Sequence, residues 1–286
     1  MKTRSFAKIN LGIEVLGRRP DGYHNIRTLF QSIDFGDELE FSLRADGELG
    51  LSGSDPGIPW DERNLVLKAA RLLKRENGVE QGAEIRVEKW VPPGRGLGGG
   101  SGNAAVTLHA LSRLWGLSLG RDRLRALAAS LGADVPYFLE GGLCLGEGRG
   151  DVLTPLPDLP PLHGVLVLPP YPSLTADIYA RLPLTSPPED SRISGFLERK
   201  DFGLLENGLE ETVFNLFPRL EAIKSFFNHN ESLLSLVSGS GSAVFGLYQD
   251  RESALRAQAE WPGPEEARLV ETLTRERYWH GVTAGV

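Results

Sequence analysis

The sequence predicts an α+β protein built from two domains. Strand-like and helix-like patterns occur in both halves of the chain, without the strict βαβ alternation that indicates a parallel sheet. The 286 residues suffice for two domains of ordinary size, and four prolines within residues 155–161 mark a boundary between them. We therefore expect an N-terminal domain over residues 1–154 and a C-terminal domain over residues 155–286.

Hydrophobic patterning places the individual elements along the chain. Alternating or short apolar runs predict strands at residues 9–15, 39–43, 83–87, 143–145, 152–153, 165–168 and 243–248. Helical spacing predicts helices at residues 64–73, 101–115, 121–131, 210–227 and 251–261. Asp61 or Asn64 is the expected cap of the first helix, Gly132 is expected to end the third, and residues 183–190 read as a polar loop.

The first predicted strand has one apolar and one polar face. Four apolar residues between positions 9 and 15 alternate with polar ones, which is typical of a half-buried strand. Lys8, Asn10 and Glu14 share the polar face.

Composition and charge exclude several classes of protein. With 41% hydrophobic and 24% charged residues, the chain is an ordinary globular sequence, and it has no apolar run long enough to cross a bilayer. The formal net charge of −7 argues against a nucleic-acid or membrane-surface partner. A single cysteine, Cys144, allows neither an internal disulfide nor a cysteine-rich metal site. Since the first residues also lack an apolar leader, we expect a cytoplasmic protein.

A glycine-rich segment is the strongest local signal. Residues 91–103 read VPPGRGLGGGSGN and hold six of the 34 glycines. A predicted helix follows, beginning near Ser101. Closely spaced backbone N–H groups that open onto a helix N-terminus favour phosphate binding. The loop lacks the lysine of a Walker motif. Residues 94–99 match G-x-G-x-x-G, but another helix stands where a dinucleotide fold needs its second strand and acidic residue.

Three motifs carry a resemblance to a known family. Residues 92–101 resemble the central P-x-x-x-G-L-G-S-S motif of the GHMP kinases, residues 7–11 resemble their N-terminal motif, and residues 238–241 their C-terminal glycine loop. The motifs occur in the family's order and span almost the whole chain. The resemblance implies an N-terminal domain like ribosomal protein S5, a C-terminal ferredoxin-like domain, and a cleft between them that holds ATP and a small-molecule substrate.

Three further stretches are similar to one branch of that family. They are residues 19–25, 64–66 and 132–138. The branch phosphorylates a CDP-linked branched polyol in the non-mevalonate route to isoprenoids. A mevalonate or homoserine kinase of the same family, and a non-catalytic nucleotide-binding relative, stay open as alternatives. The stretch Asp21-Gly22-Tyr23-His24 distinguishes this branch from the mevalonate and homoserine kinases, because a substrate without a nucleobase does not need it.

The resemblance, with the placement of each residue, yields a set of expected site residues. Lys8 and Asp134 are the expected catalytic pair, and Asp134 follows a helix stop on a turn constrained by Pro136. The expected ATP-binding residues are Asn64, Pro93, Gly94, Arg95, Gly96, Leu97, Gly98, Gly99, Gly100, Ser101, Gly102 and Asn103. The expected substrate-binding residues are Asn10, Tyr23, His24, Tyr179 and Gly239.

Mg²⁺ is expected together with ATP, and Ser101 is the one candidate ligand by analogy with P-loop Ser/Thr residues. The expected partner is a small molecule, with no nucleic acid and no membrane, and the expected state is a monomer or a weak homodimer.

Overall fold

Two β-sheets with helices packed on them organise the chain in a computed structural model that describes residues 1–183 and 190–285. The polar loop predicted at residues 183–190 lies almost entirely outside the described residues. The mixture of strands and helices confirms the predicted α+β class.

The first sheet is centred on a long hairpin. Its strands are β1 (Lys2–Arg18), β2 (His24–Arg44), β3 (Leu49–Gly53), β4 (Gly82–Glu88), β5 (Leu143–Glu147) and β6 (Val152–Pro155). The strand order is β3-β4-β2-β5-β6, with β1 paired antiparallel to β2. Every pair is antiparallel except β3 with β4.

Three helices belong to this first sheet: α1 (Leu65–Glu76), α2 (Gly99–Leu114) and α3 (Arg121–Leu131). They bury Ala69, Leu108 and Leu127 in one core with Phe41 and Ile85 of the sheet. A short 3-10 helix (Val135–Leu139) follows α3 and begins directly after Asp134. The core thus fixes the start of α2 and the turn after α3, where the predicted phosphate loop and catalytic carboxylate lie.

The second sheet is fully antiparallel. Its strands are β7 (His163–Leu168), β8 (Leu234–Val237), β9 (Val244–Tyr248) and β10 (Glu266–Glu271), in the order β10-β7-β9-β8. The helices of this half are α4 (Thr175–Ala180), α5 (Arg192–Arg199), α6 (Glu210–Leu216), α7 (Pro218–His229), α8 (Arg251–Ala259) and α9 (Arg275–Thr283), with a short 3-10 helix at Phe202–Leu204. Helices between β7 and β8 and between β9 and β10 give the βαββαβ sequence of a ferredoxin-like domain, as the resemblance implied.

The last helix returns to the first sheet. The Tyr278 hydroxyl of α9 donates to the Phe138 carbonyl oxygen at 2.7 Å, and its ring lies 5.7 Å from that of Phe6 on β1. The division at residue 154 stays a prediction, and α9 makes its contacts on the N-terminal side of that division.

Several element predictions need correction. The strand predicted to be half buried is part of β1, which is buried on both faces from Ser5 to Glu14, since the glycine-rich loop and the C-terminal half cover its polar side. The predicted helix over residues 210–227 divides at Pro218, which begins α7 as its first residue. The helix predicted from Ser101 begins two residues earlier, at Gly99.

Candidate functional site

The glycine-rich loop needs glycine where it meets two neighbouring segments. Gly96 and Gly98 have φ angles of 71° and 70°, in the left-handed region that other residues avoid. A Cβ on Gly96 would overlap the Ser238 carbonyl oxygen, and one on Gly98 would lie 2.6 Å from the Phe138 ring. The loop is therefore pressed between the C-terminal glycine loop and the 3-10 helix that follows Asp134.

Hydrogen bonds fix the position of the glycine-rich loop directly before α2. The Lys8 amide donates to the Leu97 carbonyl at 3.0 Å, and the Ser238 hydroxyl donates to the Gly96 carbonyl at 2.8 Å. Gly98 is the N-cap, so the first turn of α2, which contains Ser101, presents N–H groups without intrahelical partners. The positive end of the helix dipole adds to them, which suits bound phosphate.

Two asparagines expected at the ATP site differ in how they are engaged. Asn64 caps α1: its Oδ1 accepts from the Val66 amide at 3.0 Å, and its Nδ2 donates to the Pro59 carbonyl at 3.0 Å. The predicted cap is therefore confirmed, and both polar atoms of this side chain are used within the protein. Asn103 is buried in α2, and its Oδ1 has no hydrogen-bond partner within the described part of the chain.

Lys8 and Asp134 meet in the cleft between the loop and β1. The Lys8 Nζ lies 3.9 Å from the Asp134 Oδ2 and donates to the Asn10 Oδ1 at 2.6 Å. Lys8 is 4% exposed, whereas the Asp134 side chain is 40% exposed. Burial lowers the pKa of Lys8, and the nearby Asp134 carboxylate opposes that shift. The lysine is thus buried beside a carboxylate that remains open to a ligand.

The C-terminal glycine loop closes over this pair. Gly239 has a φ of 59°, and a Cβ there would lie 3.2 Å from the Asn10 Oδ1 and 3.5 Å from the Lys8 Nζ. Asn207 was not among the expected site residues. Its Nδ2 donates to the Gly239 carbonyl at 2.7 Å and to the Val237 carbonyl at 2.9 Å. An Asn-Gly pair at 207–208 indicates only a turn, so no local signal could reveal this long-range contact.

Two aromatic rings form a wall beside Asp134. The His24 and Tyr179 rings lie 5.3 Å apart at an interplanar angle of 37°. Burial, and then the Asp134 carboxylate, raise the pKa of Tyr179, so its hydroxyl stays neutral. Burial, and then Arg18, lower the pKa of His24, whose Nδ1 is buried and unpartnered among the described residues. A neutral imidazole has one donor and one acceptor nitrogen, which suits the edge of a nucleobase.

Tyr23 projects from the same turn as His24 but makes a different contact. It is 58% exposed, and the Arg149 guanidinium carbon lies 5.1 Å from its ring centroid. The Asp21 carboxylate accepts from the Tyr23 amide at 3.1 Å and so shapes the turn.

The structure thus brings together most of the residues that were expected to bind the substrate or to take part in catalysis. Lys8, Asn10, Asp134 and Gly239 form one cluster, and the His24–Tyr179 wall adjoins it through Asp134. Tyr23 contacts Arg149, and Asn64 contacts the segments around α1. The binding roles of these residues stay predictions.

Within residues 1–183 and 190–285, no group of three or more His, Cys, Asp or Glu side chains is placed to hold a metal ion. None of the helices described is both long and apolar enough to cross a membrane.

Two models of known protein families match this chain. The model of the GHMP kinases N terminal domain matches residues 64–142, and that of the GHMP kinases C terminal domain matches residues 194–265. Together with the two sheets and the glycine-rich loop, these matches define a GHMP kinase, and they confirm the resemblance seen in the three motifs.

Two individual relatives indicate which family of GHMP kinases the chain belongs to. Two proteins named 4-diphosphocytidyl-2-C-methyl-D-erythritol kinase are similar over nearly their whole length. The one from Aromatoleum aromaticum is 41% identical over 277 residues, covering 96% of this chain and 95% of its own. The one from Pseudomonas savastanoi pv. phaseolicola is 40% identical over 269 residues, covering 94% and 88%. The chain therefore belongs to the 4-diphosphocytidyl-2-C-methyl-D-erythritol kinase family.

Solved structures agree with that placement. A crystal structure of 4-(cytidine 5'-diphospho)-2C-methyl-D-erythritol kinase matches with a TM-score of 0.83 and 34% identity, covering 95% of this chain and 99% of that one. A homoserine kinase from Cytophaga hutchinsonii has a TM-score of 0.74 at 20% identity, covering 96% and 95%, and shares the fold.

Proposed function

We propose that the protein transfers the γ-phosphoryl group of ATP to the 2-hydroxyl of 4-diphosphocytidyl-2-C-methyl-D-erythritol (CDP-methylerythritol), a step of the non-mevalonate route to isoprenoid precursors. One observation carries the proposal: the Lys8–Asp134 pair lies between the glycine-rich loop and the His24–Tyr179 wall. A single cleft therefore offers places for a phosphate chain, an acceptor hydroxyl and a base. The names of the relatives support the same substrate.

Asp134 and Lys8 have different roles at the acceptor hydroxyl. The hydroxyl oxygen bonds to the γ-phosphorus while the bond from that phosphorus to the β–γ bridging oxygen breaks, and ADP leaves. The exposed Asp134 carboxylate accepts the hydroxyl proton, and the Lys8 ammonium offsets the negative charge on the transferring group. Positioning and charge stabilisation account for most of such a reaction.

The glycine-rich loop and α2 hold the triphosphate of ATP in this proposal. Backbone N–H groups of residues 94–101 face the phosphates, and the dipole of α2 supports them. Mg²⁺, when bound, neutralises phosphate charge. Ser101 in the first turn of α2 would offer the ion one oxygen ligand.

The cytidine moiety is placed against the aromatic side of the cleft. His24 hydrogen-bonds an edge of the cytosine, and Tyr179 and Tyr23 contribute aromatic faces. Asn10 and Gly239, beside the Lys8 ammonium, contact the polyol.

The alternatives have less support. Mevalonate and homoserine lack a base and leave His24 and Tyr179 without a purpose, and the homoserine kinase structure shares only the fold at 20% identity. A non-catalytic relative is disfavoured because Lys8 and Asp134 are both present and lie 3.9 Å apart. A cytoplasmic location and a monomeric or weakly dimeric state stay predictions.

The test is a coupled assay of ADP release with three acceptors side by side. We expect turnover with CDP-methylerythritol and background rates with mevalonate and homoserine. Turnover with either of the other two, and none with CDP-methylerythritol, overturns the substrate assignment.

A further inference from the structure

Three buried polar side chains of the β1–β2 hairpin form one hydrogen-bonded line that ends at the catalytic lysine. The Lys8 Nζ donates to the Asn10 Oδ1 at 2.6 Å, and the Asn10 Nδ2 donates to the Thr28 Oγ1 at 2.8 Å. The Thr28 hydroxyl donates to the Gly12 carbonyl at 2.8 Å. Thr28 is fully buried and Asn10 is 3% exposed, so each group depends on its protein partner.

The final acceptor fixes the direction of the whole line. A backbone carbonyl can only accept, so the Thr28 hydrogen points at Gly12 and the Thr28 oxygen is left with lone pairs. Only the NH₂ end of the Asn10 amide can face those lone pairs. The carbonyl end of Asn10 must then face Lys8, where it accepts from the ammonium.

A β-bulge accompanies this arrangement. Asn10 pairs with Phe30 and Gly12 pairs with Leu29, so Leu11 is an extra residue on β1. Bulges redirect side chains and disturb the regular ladder. At this point the Gly12 carbonyl accepts from the Thr28 side chain instead of depending on the ladder alone.

We infer that Thr28 is a positioning residue for the phosphoryl transfer, because its hydroxyl fixes the Asn10 amide whose carbonyl oxygen holds the Lys8 ammonium in place. The inference rests on the proposed function for its kinetic consequences. Thr28 is fully buried and acts through Asn10.

The surroundings of Lys8 leave few other groups to hold the ammonium. Among the described residues, Asp134, in the segment after α3, is the charged group that faces it, at 3.9 Å. From β2 the Phe30 ring lies 5.5 Å away, and from the C-terminal loop the backbone of Gly239 approaches. Tyr179 of α4, beside Asp134, is neutral. Loss of the Asn10 contact therefore leaves Lys8 with only the more distant carboxylate.

The kinetic test compares two pairs of variants that each differ by a hydroxyl group. Thr28→Val removes the hydroxyl and keeps a branched shape, and we expect kcat with CDP-methylerythritol to fall about tenfold with KM for ATP unchanged. Thr28→Ser should restore most of the lost kcat, whereas Thr28→Ala should not. If Thr28→Val does not fold, the comparison of kcat between Thr28→Ser and Thr28→Ala tests the inference instead.

Thr272→Val is the matched control for loss of a buried hydroxyl. That hydroxyl accepts from the Leu162 amide at 2.8 Å and contacts no residue of the Lys8 line. We expect it to lower the melting temperature while kcat stays at the wild-type value. If Thr28→Val behaves in the same way, Thr28 is merely structural and the inference is wrong.

A second readout does not depend on the substrate. The pKa of Lys8 in the free protein can be followed by NMR on lysine labelled with ¹³C at Cε, with Lys8→Met to assign the signal. Since a fixed acceptor stabilises the ammonium, Thr28→Val and Thr28→Ala should lower this pKa further, and Thr28→Ser should not. A pKa that is the same in all four proteins overturns the inference. A wild-type protein inactive on CDP-methylerythritol overturns the proposed function and leaves this NMR result to decide the role of Thr28.

Discussion

At the scale of single residues, the proposed catalytic pair, Lys8 and Asp134, is not joined by a direct hydrogen bond. The Lys8 ammonium hydrogen-bonds Asn10 and lies 3.9 Å from Asp134, beyond hydrogen-bonding distance. The exposed Asp134 carboxylate has no hydrogen bond to Lys8 and can therefore still accept a proton from a ligand. Sequence alone suggested the pair, but only the fold shows which partner the lysine binds directly.

Asp134→Asn tests the role of the carboxylate. A positioned base contributes roughly 10²- to 10⁴-fold to rate, so we expect kcat to fall by that order. The melting temperature and both KM values should change little, since 40% of the side chain is exposed. A structural ion pair would give the reverse: lower stability with most of the turnover kept.

Lys8→Met combined with Asp134→Asn tests whether the two residues act together. Groups that act as a unit give losses far from additive. We expect the double variant to lose much less activity than the product of the single losses. Fully multiplicative losses in steady-state kinetics would show independent action.

Tyr23→Ala tests the aromatic side of the cleft. Stacking of a base on an aromatic ring is worth roughly 1–3 kcal/mol, so KM for CDP-methylerythritol should rise while KM for ATP stays constant. Leu43→Ala, at an exposed hydrophobic position of β2, is the matched control and should alter neither. Equal effects of Tyr23→Ala on both substrates would limit Tyr23 to shaping its turn.

His24 gives the site a pH dependence of known sign. Its pKa is lowered from 6.5, first by burial and then by Arg18, so the imidazole is neutral at pH 7. Acid protonates the ring and removes its acceptor nitrogen. We therefore expect KM for CDP-methylerythritol to rise as the pH falls below 6.5, with no such rise for ATP. A KM that stays flat in steady-state assays while NMR shows the His24 ring becoming protonated contradicts a hydrogen-bond acceptor role.

At the scale of elements, the glycine-rich loop and α2 form the most predictable part of the site. Glycine density followed by helical spacing identified both, and the start of α2 differed by only two residues. Asn207 and Thr28 could not be found in this way, because their partners lie on other strands and loops. Local pattern indicates a backbone shaped to bind phosphate, whereas long-range pairing determines which side chains lie around it.

Gly98→Val tests the fit of this loop. The new side chain must adopt a φ of 70° and enters the space of the Phe138 ring. We expect weaker ATP binding by calorimetry together with a lower melting temperature. Gly120→Ala is the control, because Gly120 has a φ of −69° and a Cβ there meets no atom within 4 Å. Gly98→Val with wild-type affinity for ATP would contradict the phosphate role of the loop.

At the scale of the whole molecule, local pattern predicted only β7 and β9 of the C-terminal sheet, and the ferredoxin-like arrangement of its strands was implied by the family resemblance. The short strands β8 and β10 were not predicted. β8 has four residues, all buried, and therefore shows no alternation. The return of α9 to β1 was not predicted either, since the proline-rich segment indicated only a boundary.

Tyr278→Ala tests whether α9 is part of the N-terminal core. The residue is fully buried against Phe6, and its hydroxyl reaches Phe138, close to the Asp134 turn. Removing such an aromatic side chain costs about 3–5 kcal/mol, so the midpoint of denaturant unfolding should fall clearly. An unchanged midpoint would show that α9 adds little to the packing of β1.

The central claim is that one cleft joins ATP, a cytidine-linked polyol and the Lys8–Asp134 pair. Phosphorus NMR of the wild-type protein with Mg·ATP and CDP-methylerythritol tests it most directly. We predict a new phosphomonoester signal that grows in equal amount with ADP and nearly disappears with Asp134→Asn. ADP accompanied by inorganic phosphate, without a phosphomonoester, would contradict the account.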